Sequence, residues 1–169
     1  YRTPPHDVVE VLDALGLPRA GLGGWARPAA TADDDLLLPV ADLATLRALS
    51  PDMSRLAALR TAQHARGVFC VSRETVDAGS VTHGRFFAPH FGLPEDIVTG
   101  SVHSTLAAWL LGAGVLPAAE GRAVFTAEQG DGLGRPGRPR IELTVRDGQA
   151  ARVRVGGRAV TVLRGQLSA

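Results

Sequence analysis

The sequence predicts an α+β fold in which a largely antiparallel, curled β-sheet wraps around one central, buried helix. Of its 169 residues, 45% are hydrophobic and 21% are charged, a balance that supports a globular core. Residues 101–112 are apolar almost all round, as in an enclosed helix. The last third of the chain alternates short apolar runs with two-residue turns, which is typical of antiparallel strands. A sheet packed on a single helix is the simplest architecture for these parts.

Helices around one strand are predicted for the first third of the chain. Apolar side chains recur at helical spacing in three segments, and one short apolar run closed by a proline predicts a strand. In order, these are a helix over 7–15 ended by Gly16, a strand over 36–40, a helix over 43–49 capped by Asp42, and a helix opened by residues 50–52 and ended by Gly67.

The segment 19–35 has neither a helical nor a strand period and is rich in glycine, alanine and aspartate. We interpret it as a linker or surface loop. The chain is therefore divided into residues 1–35, a short helix with a linker, and residues 36–169, the main domain.

The remainder predicts strands on either side of the enclosed helix. Residues 73–82 and 93–100 are polar or aperiodic and are expected to be loops. Turns are predicted at Asp147-Gly148 and at Gly156-Gly157, and the second, between alternating Val/Arg runs, is a hairpin signal. The expected strands are 68–71, 84–88, 122–128, 141–146, 151–155 and 158–164.

Composition excludes several classes of protein. The formal net charge is +1, so no strong field attracts nucleic acid. The single cysteine excludes an internal disulfide framework and favours a reducing compartment. The longest strongly apolar stretch, 106–116, is about half of the ~20 residues that a membrane span needs, and no signal pattern opens the chain. We expect a soluble, cytoplasmic protein.

The strongest candidate site is the start of the enclosed helix at Thr99, Gly100 and Ser101. N–H groups in a first helical turn have no intrahelical partner and carry partial positive charge, which suits a carboxylate or phosphate. Gly100 would let a ligand approach the backbone closely. Asp96 would lie at the rim, where a carboxylate accepts a ligand amine or hydroxyl or transfers a proton. The alternative is structural: an N-cap residue with a carboxylate near the helix dipole.

A second candidate is the glycine-rich segment 128–137, which contains Gln129, Gly130 and Arg135. A glycine-rich loop with an arginine can close over an anionic group. No GK[ST] occurs in the chain and no helical pattern follows the segment, which argues against phosphate-loop and dinucleotide motifs. A long β-hairpin loop would explain the same composition.

No metal site is expected. The five histidines are scattered, His83 and His90 lack ligand spacing, and no HExxH motif occurs. His103 falls one turn into the enclosed helix, as a hydrogen-bonded core histidine would. Cys70 lies within a predicted strand and is interpreted as structural. Ser101 is not part of a GxSxG elbow, so no serine triad is argued.

Several separated motifs, taken together in order and spacing, resemble the C-terminal half of the phenazine-biosynthesis PhzF family, relatives of diaminopimelate epimerase. The resemblance covers about residues 36–169. The family's Glu-Asp-Pro-Val-Thr-Gly-Ser carries Ile97 here in place of proline. The motifs are Arg85 to Pro89, Glu95 to Ser101 with His103 and Leu106, Gln129-Gly130 with Gly134 to Gly137, and Val155-Gly156-Gly157 before Gly165.

The resemblance implies one lobe of a two-lobed fold whose active site lies in the cleft between lobes. It implies cofactor-independent isomerisation of a small carboxylate-bearing metabolite by proton transfer, in a biosynthetic role. Asp96 then corresponds to the acidic, substrate-contacting residue of the family motif, and Gly100 and Ser101 to the helix-start groups that hold the substrate carboxylate. We therefore predict Asp96 as the catalytic residue and, as substrate-binding residues, Thr99, Gly100, Ser101, Gln129 and Gly130. No cysteine lies near Asp96, so the thiol-pair mechanism of diaminopimelate epimerase is not expected.

The family's general acid/base glutamate and its Gly-His-Pro motif belong to the first lobe, which this chain does not contain. Our first hypothesis is therefore half of an isomerase, inactive as this chain alone, whose N-terminal lobe is supplied in cis or in trans. The start at Tyr1, without Met, agrees with a missing upstream segment. The alternative is a catalytically silent lobe that binds a small anion or a protein partner. An exposed apolar face would favour a homo-oligomer, such as a dimer, in either case.

Overall fold

A computed structural model describes residues 1–4, 7–63 and 66–166. Two core clusters lie on opposite sides of a mixed sheet. The described helices are α1 (Val9–Leu15), α2 (Leu43–Ala48), α3 (Met53–Gln63) and α4 (Gly100–Gly112). The described strands are β1 (Ala29–Ala30), β2 (Asp35–Pro39), β3 (Gly67–Ser72), β4 (Ser80–Ala88), β5 (Leu93–Asp96), β6 (Arg122–Gln129), β7 (Arg140–Arg146) and β8 (Gln149–Gly156).

The strands form one sheet in the order β1-β2-β3-β4-β6-β7-β8, and β5 pairs with β4 off this path. The pairs β2–β3 and β4–β6 are parallel, and the other pairs are antiparallel. Each parallel pair is joined through a helical segment, as a parallel connection requires. The structure confirms an α+β fold with a curled, half-barrel mixed sheet that is largely antiparallel.

The strands β2, β3 and β4 are covered on both faces. In β3, Phe69 and Val71 belong to the cluster that contains α4, whereas Val68 and Cys70 belong to the cluster that contains α1, α2 and α3. Because successive strand residues point to opposite faces, double coverage requires an unbroken apolar run, and the sequences of β2 and β3 have one.

The strands β6 and β7 are covered on the α4 side only. Phe125, Ile141 and Leu143 are buried against the α4 cluster, while Arg122 and Arg140 lie on the exposed side. One buried and one solvated face explain the alternating sequence of these strands.

Helix α4 is held by packing along most of its length. Val102, Leu106, Trp109 and Leu110 are each at most 2% exposed, and each such buried apolar side chain contributes roughly 1.5–3 kcal/mol. The Trp109 Nε1–H group donates to the Arg27 carbonyl at 2.9 Å, so the one polar group of this side chain is satisfied. The helix start is therefore presented on a rigid element.

The helices are confirmed close to their expected positions. Helix α1 ends at Gly16, whose φ of 68° is left-handed, and the Asp42 carboxylate accepts the Thr45 N–H at 2.6 Å to cap α2. Helix α1 packs against α3 in the second core cluster. The division of the chain at residue 35 stays a prediction.

Three local predictions were wrong. Strand β4 begins at Ser80, inside the expected 73–82 loop. The prediction was wrong because polar residues usually indicate an exposed loop, whereas Thr82 and His83 are buried in the strand. Residues 93–96 are strand β5, which pairs with β4 through Phe86 and Asp96. Gly67 does not end a helix but opens β3, since α3 already ends at Gln63; residues 64 and 65 lie outside the described residues.

The expected hairpin at Gly156-Gly157 is also wrong. The predicted turn at Asp147-Gly148 is confirmed: it joins β7 to β8, and both of its φ angles are positive. Residues 157–166 have no regular secondary structure. Every residue of β8 is exposed except Val153, which is partly buried against the α4 cluster, and none of the described residues pairs with the outer edge of β8. Residues 167–169 lie outside the described residues. Across the described ranges, no helix has the length and apolar character needed to cross a membrane.

Candidate active site at the start of helix α4

Helix α4 begins without a side-chain cap. Thr99 occupies the N-cap position with an extended backbone (φ −109°, ψ 102°), but its side chain makes no capping hydrogen bond. Gly100 and Ser101 are exposed, and a Cβ built on Gly100 would meet no atom within 4 Å. First-turn N–H groups have no intrahelical partner, so this 13-residue helix presents an open, partly positive end to solvent.

The Thr99 hydroxyl is engaged with Asp96 instead. Thr99 Oγ1 donates to Asp96 Oδ2 at 2.5 Å, and Asp96 is half-buried at the end of β5. Among the described residues, no partner is found for Asp96 Oδ1. The aspartate is thus positioned at the rim of the helix start, and among the described residues one of its carboxylate oxygens has no hydrogen-bond partner. It does not cap the helix.

Gln129 lies beneath the same helix start. This last residue of β6 is 0% exposed. Its Oε1 accepts the Thr99 N–H at 3.2 Å, and its Nε2 donates to the Asp96 carbonyl at 2.8 Å and to Thr99 Oγ1 at 3.2 Å. The structure therefore brings Asp96, Thr99 and Gln129 together, although the two motifs that carry them are about 30 residues apart.

The glycine-rich loop packs against the residues that precede the helix. Gly130 is buried with a φ of 88°, and a Cβ there would lie 2.5 Å from the Arg135 carbonyl oxygen and 2.6 Å from that of Ile97. A Cβ on Gly137 would lie 2.1 Å from Val98 Cγ2. Glycine at these two positions permits the close approach of the loop to residues 97 and 98. The loop supports the site from one side, and Arg135 itself is exposed.

Two ion-pair networks fix the strands that carry the site. Arg85 binds Glu95 through two hydrogen bonds of 2.9 and 2.8 Å and donates to the Leu46 and Leu49 carbonyls. Because Glu95 and Asp96 are adjacent on β5, their side chains point to opposite faces. Glu95 therefore anchors the strand from the side opposite the candidate site. Arg85 and Glu95 belong to two neighbouring motifs of the sequence, which gave no signal that they pair.

A second network surrounds Glu128, next to Gln129 on β6. Burial opposes its charge, but the N–H groups of Val76 and Asp77, at 2.8 and 2.7 Å, and His83, at 2.7 Å, outweigh burial and lower the pKa of Glu128. Arg138 joins this network through the Asp77 carboxylate and lies 3.8 Å from Glu128 Oε1. It also donates two hydrogen bonds to Asp131, which lower the pKa of Asp131. Sequence reasoning singled out the segment 128–137 but missed these pairings, because the partners come from separate segments of the chain.

His103 and Cys70 are buried without an evident role in proton transfer. Burial lowers the pKa of His103, and its Nδ1 lies 2.7 Å from the Thr99 carbonyl. A carbonyl only accepts, so the proton is on Nδ1 and Nε2 is the buried, unpartnered nitrogen. Burial raises the pKa of the Cys70 thiol to about 12. Both placements agree with the interpretation of these residues as parts of the core.

The helix start lies on an open surface. A groove of about 1230 Å³ runs beside it, bordered by Val98, Gly137 and the arginines Arg138, Arg140 and Arg154, but Asp96, Gly100 and Ser101 are not among its lining residues. Ligand sites in proteins normally bury most of a small ligand. An open surface such as this helix start would enclose only one side of a small ligand.

Solved structures share this fold. A PhzF-family protein of Bacillus anthracis superposes with a TM-score of 0.73 at 19% sequence identity, covering 92% of this chain and 58% of that one. A PhzF-family protein of Enterococcus faecalis superposes with a TM-score of 0.60 at 20% identity, covering 92% of this chain and 54% of the other. The fold is that of PhzF-type proteins.

The sequence profile of the family described as "Phenazine biosynthesis-like protein" (PhzC-PhzF) matches residues 23–165. The chain belongs to this family, which confirms the resemblance inferred from the motifs. Its curated relatives are named isomerases: "Uncharacterized isomerase YddE" of Escherichia coli is 33% identical over 132 residues, and an "Uncharacterized isomerase" of Deinococcus radiodurans is 36% identical over 150 residues.

The chain spans about half the length of these curated relatives. The two alignments cover 78% and 88% of this chain but 44% and 48% of the Escherichia coli and Deinococcus radiodurans proteins. Membership of a family whose curated relatives are named isomerases is established for this segment.

Proposed function

We propose that this chain supplies one wall of the active site of a cofactor-independent isomerase that acts on a small carboxylate-bearing metabolite. The observation that carries the proposal is the open start of α4, where Gly100 and Ser101 are exposed and the Asp96 carboxylate stands at the rim, held by Thr99. A ligand carboxylate would accept hydrogen bonds from the first-turn N–H groups, favoured by the helix dipole.

Asp96 is the group on this wall that is suited to proton transfer. Oδ2 accepts from Thr99, so Oδ1 is left to accept a hydrogen bond or a proton from an ammonium or hydroxyl group of the ligand. In an isomerisation the proton that leaves one ligand atom is matched by a proton delivered to another, so no redox partner is needed. Gly100 and Ser101 would bind the carboxylate directly, while Thr99, Gln129 and Gly130, which we also expected in the substrate-binding set, would support the helix start from within.

The other wall would come from a second lobe, in the same polypeptide or in a partner. The resemblance assigns the general acid/base glutamate and an assisting Gly-His-Pro histidine to that lobe, and relatives about twice as long support its existence. We expect residues 1–169 alone to bind a carboxylate without turnover. A cytoplasmic location and a homodimeric assembly remain part of this proposal.

Exposed apolar side chains support an additional contact surface. Val160, Val162 and Leu163 are 84%, 93% and 84% exposed in the segment after β8. A contiguous patch of exposed apolar side chains is typical of a surface that contacts another domain or protein. We propose that this segment contacts the second lobe.

The proposal is tested by mapping acetate on residues 1–169 with amide ¹H–¹⁵N spectra. We expect saturable shifts centred on Gly100 and Ser101, and no such shifts around Asp13, an exposed acidic residue on α1. Saturable shifts elsewhere, with Gly100 and Ser101 unmoved, would reject the helix start as the ligand site.

A further inference from the structure

We propose that Gln129 is a positioning residue that sets the helix start for ligand binding and does not itself contact the ligand. The inference rests on the proposed function and changes the role expected for Gln129 within it. The Gln129 side chain is 0% exposed, and both polar atoms of its amide are used within the chain. A ligand at the exposed N–H groups of Gly100 and Ser101 would not reach it.

The orientation of the amide is fixed by chemistry. The Thr99 N–H can only donate, and the Asp96 carbonyl can only accept. The oxygen Oε1 must therefore face Thr99 N at 3.2 Å, and Nε2 must face the Asp96 carbonyl at 2.8 Å. The opposite orientation would place two donors together at one end and two acceptors at the other.

This orientation determines where the Thr99 hydroxyl proton points. Nε2 of Gln129 donates to Thr99 Oγ1 at 3.2 Å, so the hydroxyl oxygen accepts a hydrogen bond from Gln129. The hydroxyl donates its own proton to Asp96 Oδ2 at 2.5 Å. A chain of hydrogen bonds thus runs from Gln129 through Thr99 to Asp96. It holds the carboxylate in one rotamer with Oδ1 presented outward.

The same amide selects which helix-start donors are available. Because Oε1 occupies the Thr99 N–H, the exposed donors left for a ligand begin at Gly100 and continue at Ser101. On the other side, His103 Nδ1 donates to the Thr99 carbonyl at 2.7 Å. Thr99 is therefore held through its N–H, its hydroxyl and its carbonyl, so the donors and the carboxylate keep a constant separation.

The test compares acetate dissociation constants of residues 1–169 and four variants, measured from the Gly100 and Ser101 amide shifts. Gln129→Met keeps the length of the side chain without its hydrogen bonds, and Thr99→Val removes the hydroxyl but keeps the N–H group. Thr99→Ser keeps both groups. Ser104→Ala is the matched control, because it removes a hydroxyl of the same helix that donates only to the Ser101 carbonyl.

We expect Gln129→Met and Thr99→Val to raise the acetate dissociation constant about three- to tenfold each, the range expected for losing a neutral hydrogen bond. Thr99→Ser and Ser104→Ala should stay within about twofold of the wild type. Hydrogen exchange adds a second readout: the Thr99 N–H should exchange faster in Gln129→Met, while amides in the middle of α4 keep their protection. A purely structural role for Gln129 would leave the dissociation constant unchanged.

The outcomes separate this inference from the proposed function. Suppose that acetate shifts the amide resonances of Gly100 and Ser101 in the wild type and binds Gln129→Met and Thr99→Val with the same dissociation constant. The positioning role of Gln129 is then wrong, while the proposed ligand site is supported. If acetate does not bind at the helix start of the wild type, both the proposed ligand site and the positioning role of Gln129 are wrong. Should Gln129→Met fail to fold, Thr99→Val against Thr99→Ser decides, because the hydroxyl is the second link of the same chain of hydrogen bonds.

Discussion

Replacing Gly100 with alanine should increase the free energy of unfolding and weaken carboxylate binding at the start of α4. Gly100 is the first residue of α4, its φ is not positive, and a Cβ there would meet nothing within 4 Å. The fold has room for the methyl group, and alanine loses less backbone entropy than glycine on folding. We expect a gain of about 0.4–1 kcal/mol in the free energy of unfolding.

The effect on binding has the opposite sign for a geometric reason. Cα–Cβ bonds in a helix tilt toward its N-terminus, so the Gly100→Ala methyl group would project toward the space in front of the first-turn N–H groups. A carboxylate oxygen accepting from these groups lies about 2.9 Å from the nitrogen, where the methyl group would crowd it. We expect at least a tenfold weaker acetate affinity, or about 1.4 kcal/mol.

The assay pairs thermal unfolding without ligand and an acetate titration on the same samples. Stabilisation should raise the Tm by about 2–4 °C per kcal/mol in a chain of this size. Gly24→Ala is the matched control, since a Cβ there also meets no atom within 4 Å and Gly24 lies in a loop outside α4. If Gly100→Ala binds acetate as tightly as the wild type, close approach at Gly100 plays no part in binding.

Three further predictions concern stability and reactivity. Leu106→Ala should cost about 2–5 kcal/mol in chemical denaturation, because Leu106 is 0% exposed in the α4 core; a loss below about 1 kcal/mol would contradict that packing. Cys70 should resist thiol reagents at neutral pH until the protein unfolds, since burial raises its pKa to about 12; rapid labelling of the native protein would oppose this. Glu128→Gln should be about 1.5–3 kcal/mol less stable than the wild type at neutral pH. Because the folded state lowers the pKa of Glu128, this difference should shrink as pH falls through and below the ordinary glutamate range, whereas a pH-independent gap would refute the charge-based explanation.

The elements with strong local signals could be predicted from the sequence. The unbroken apolar run of α4 and the Asp42 cap of α2 are local patterns, and both are present in the structure. Strand β5 could not be predicted because it is four residues long and exists through its pairing with β4. The strand predicted at 158–164 is absent for the opposite reason. Its alternating sequence is suited to a strand, but none of the described residues pairs with it.

The residues of the candidate site could be proposed from the sequence, but their contacts with one another could not. The open helix start and Asp96 followed from the order of Asp96, Thr99, Gly100 and Ser101 along the chain. The role of Gln129 did not, because it depends on the register that places the end of β6 beneath α4. Tertiary pairing decides whether a buried amide binds a ligand or a helix.

The most direct test of the isomerase proposal is solvent-deuterium incorporation by the complete protein, meaning this segment together with the lobe that accompanies it naturally. The enzyme is incubated in D₂O with a panel of small amino and hydroxy carboxylic acids, and products are read by mass spectrometry. Asp96→Asn and Ser101→Ala are compared with Asp13→Asn, an exposed carboxylate control on α1.

We predict that the wild type and Asp13→Asn incorporate deuterium into at least one acid, and that Asp96→Asn and Ser101→Ala reduce the rate strongly. Acetate binding without any incorporation would favour the alternative of a catalytically silent, anion-binding lobe. Full incorporation by both Asp96→Asn and Ser101→Ala would contradict the proposal and remove the start of α4 from the active site.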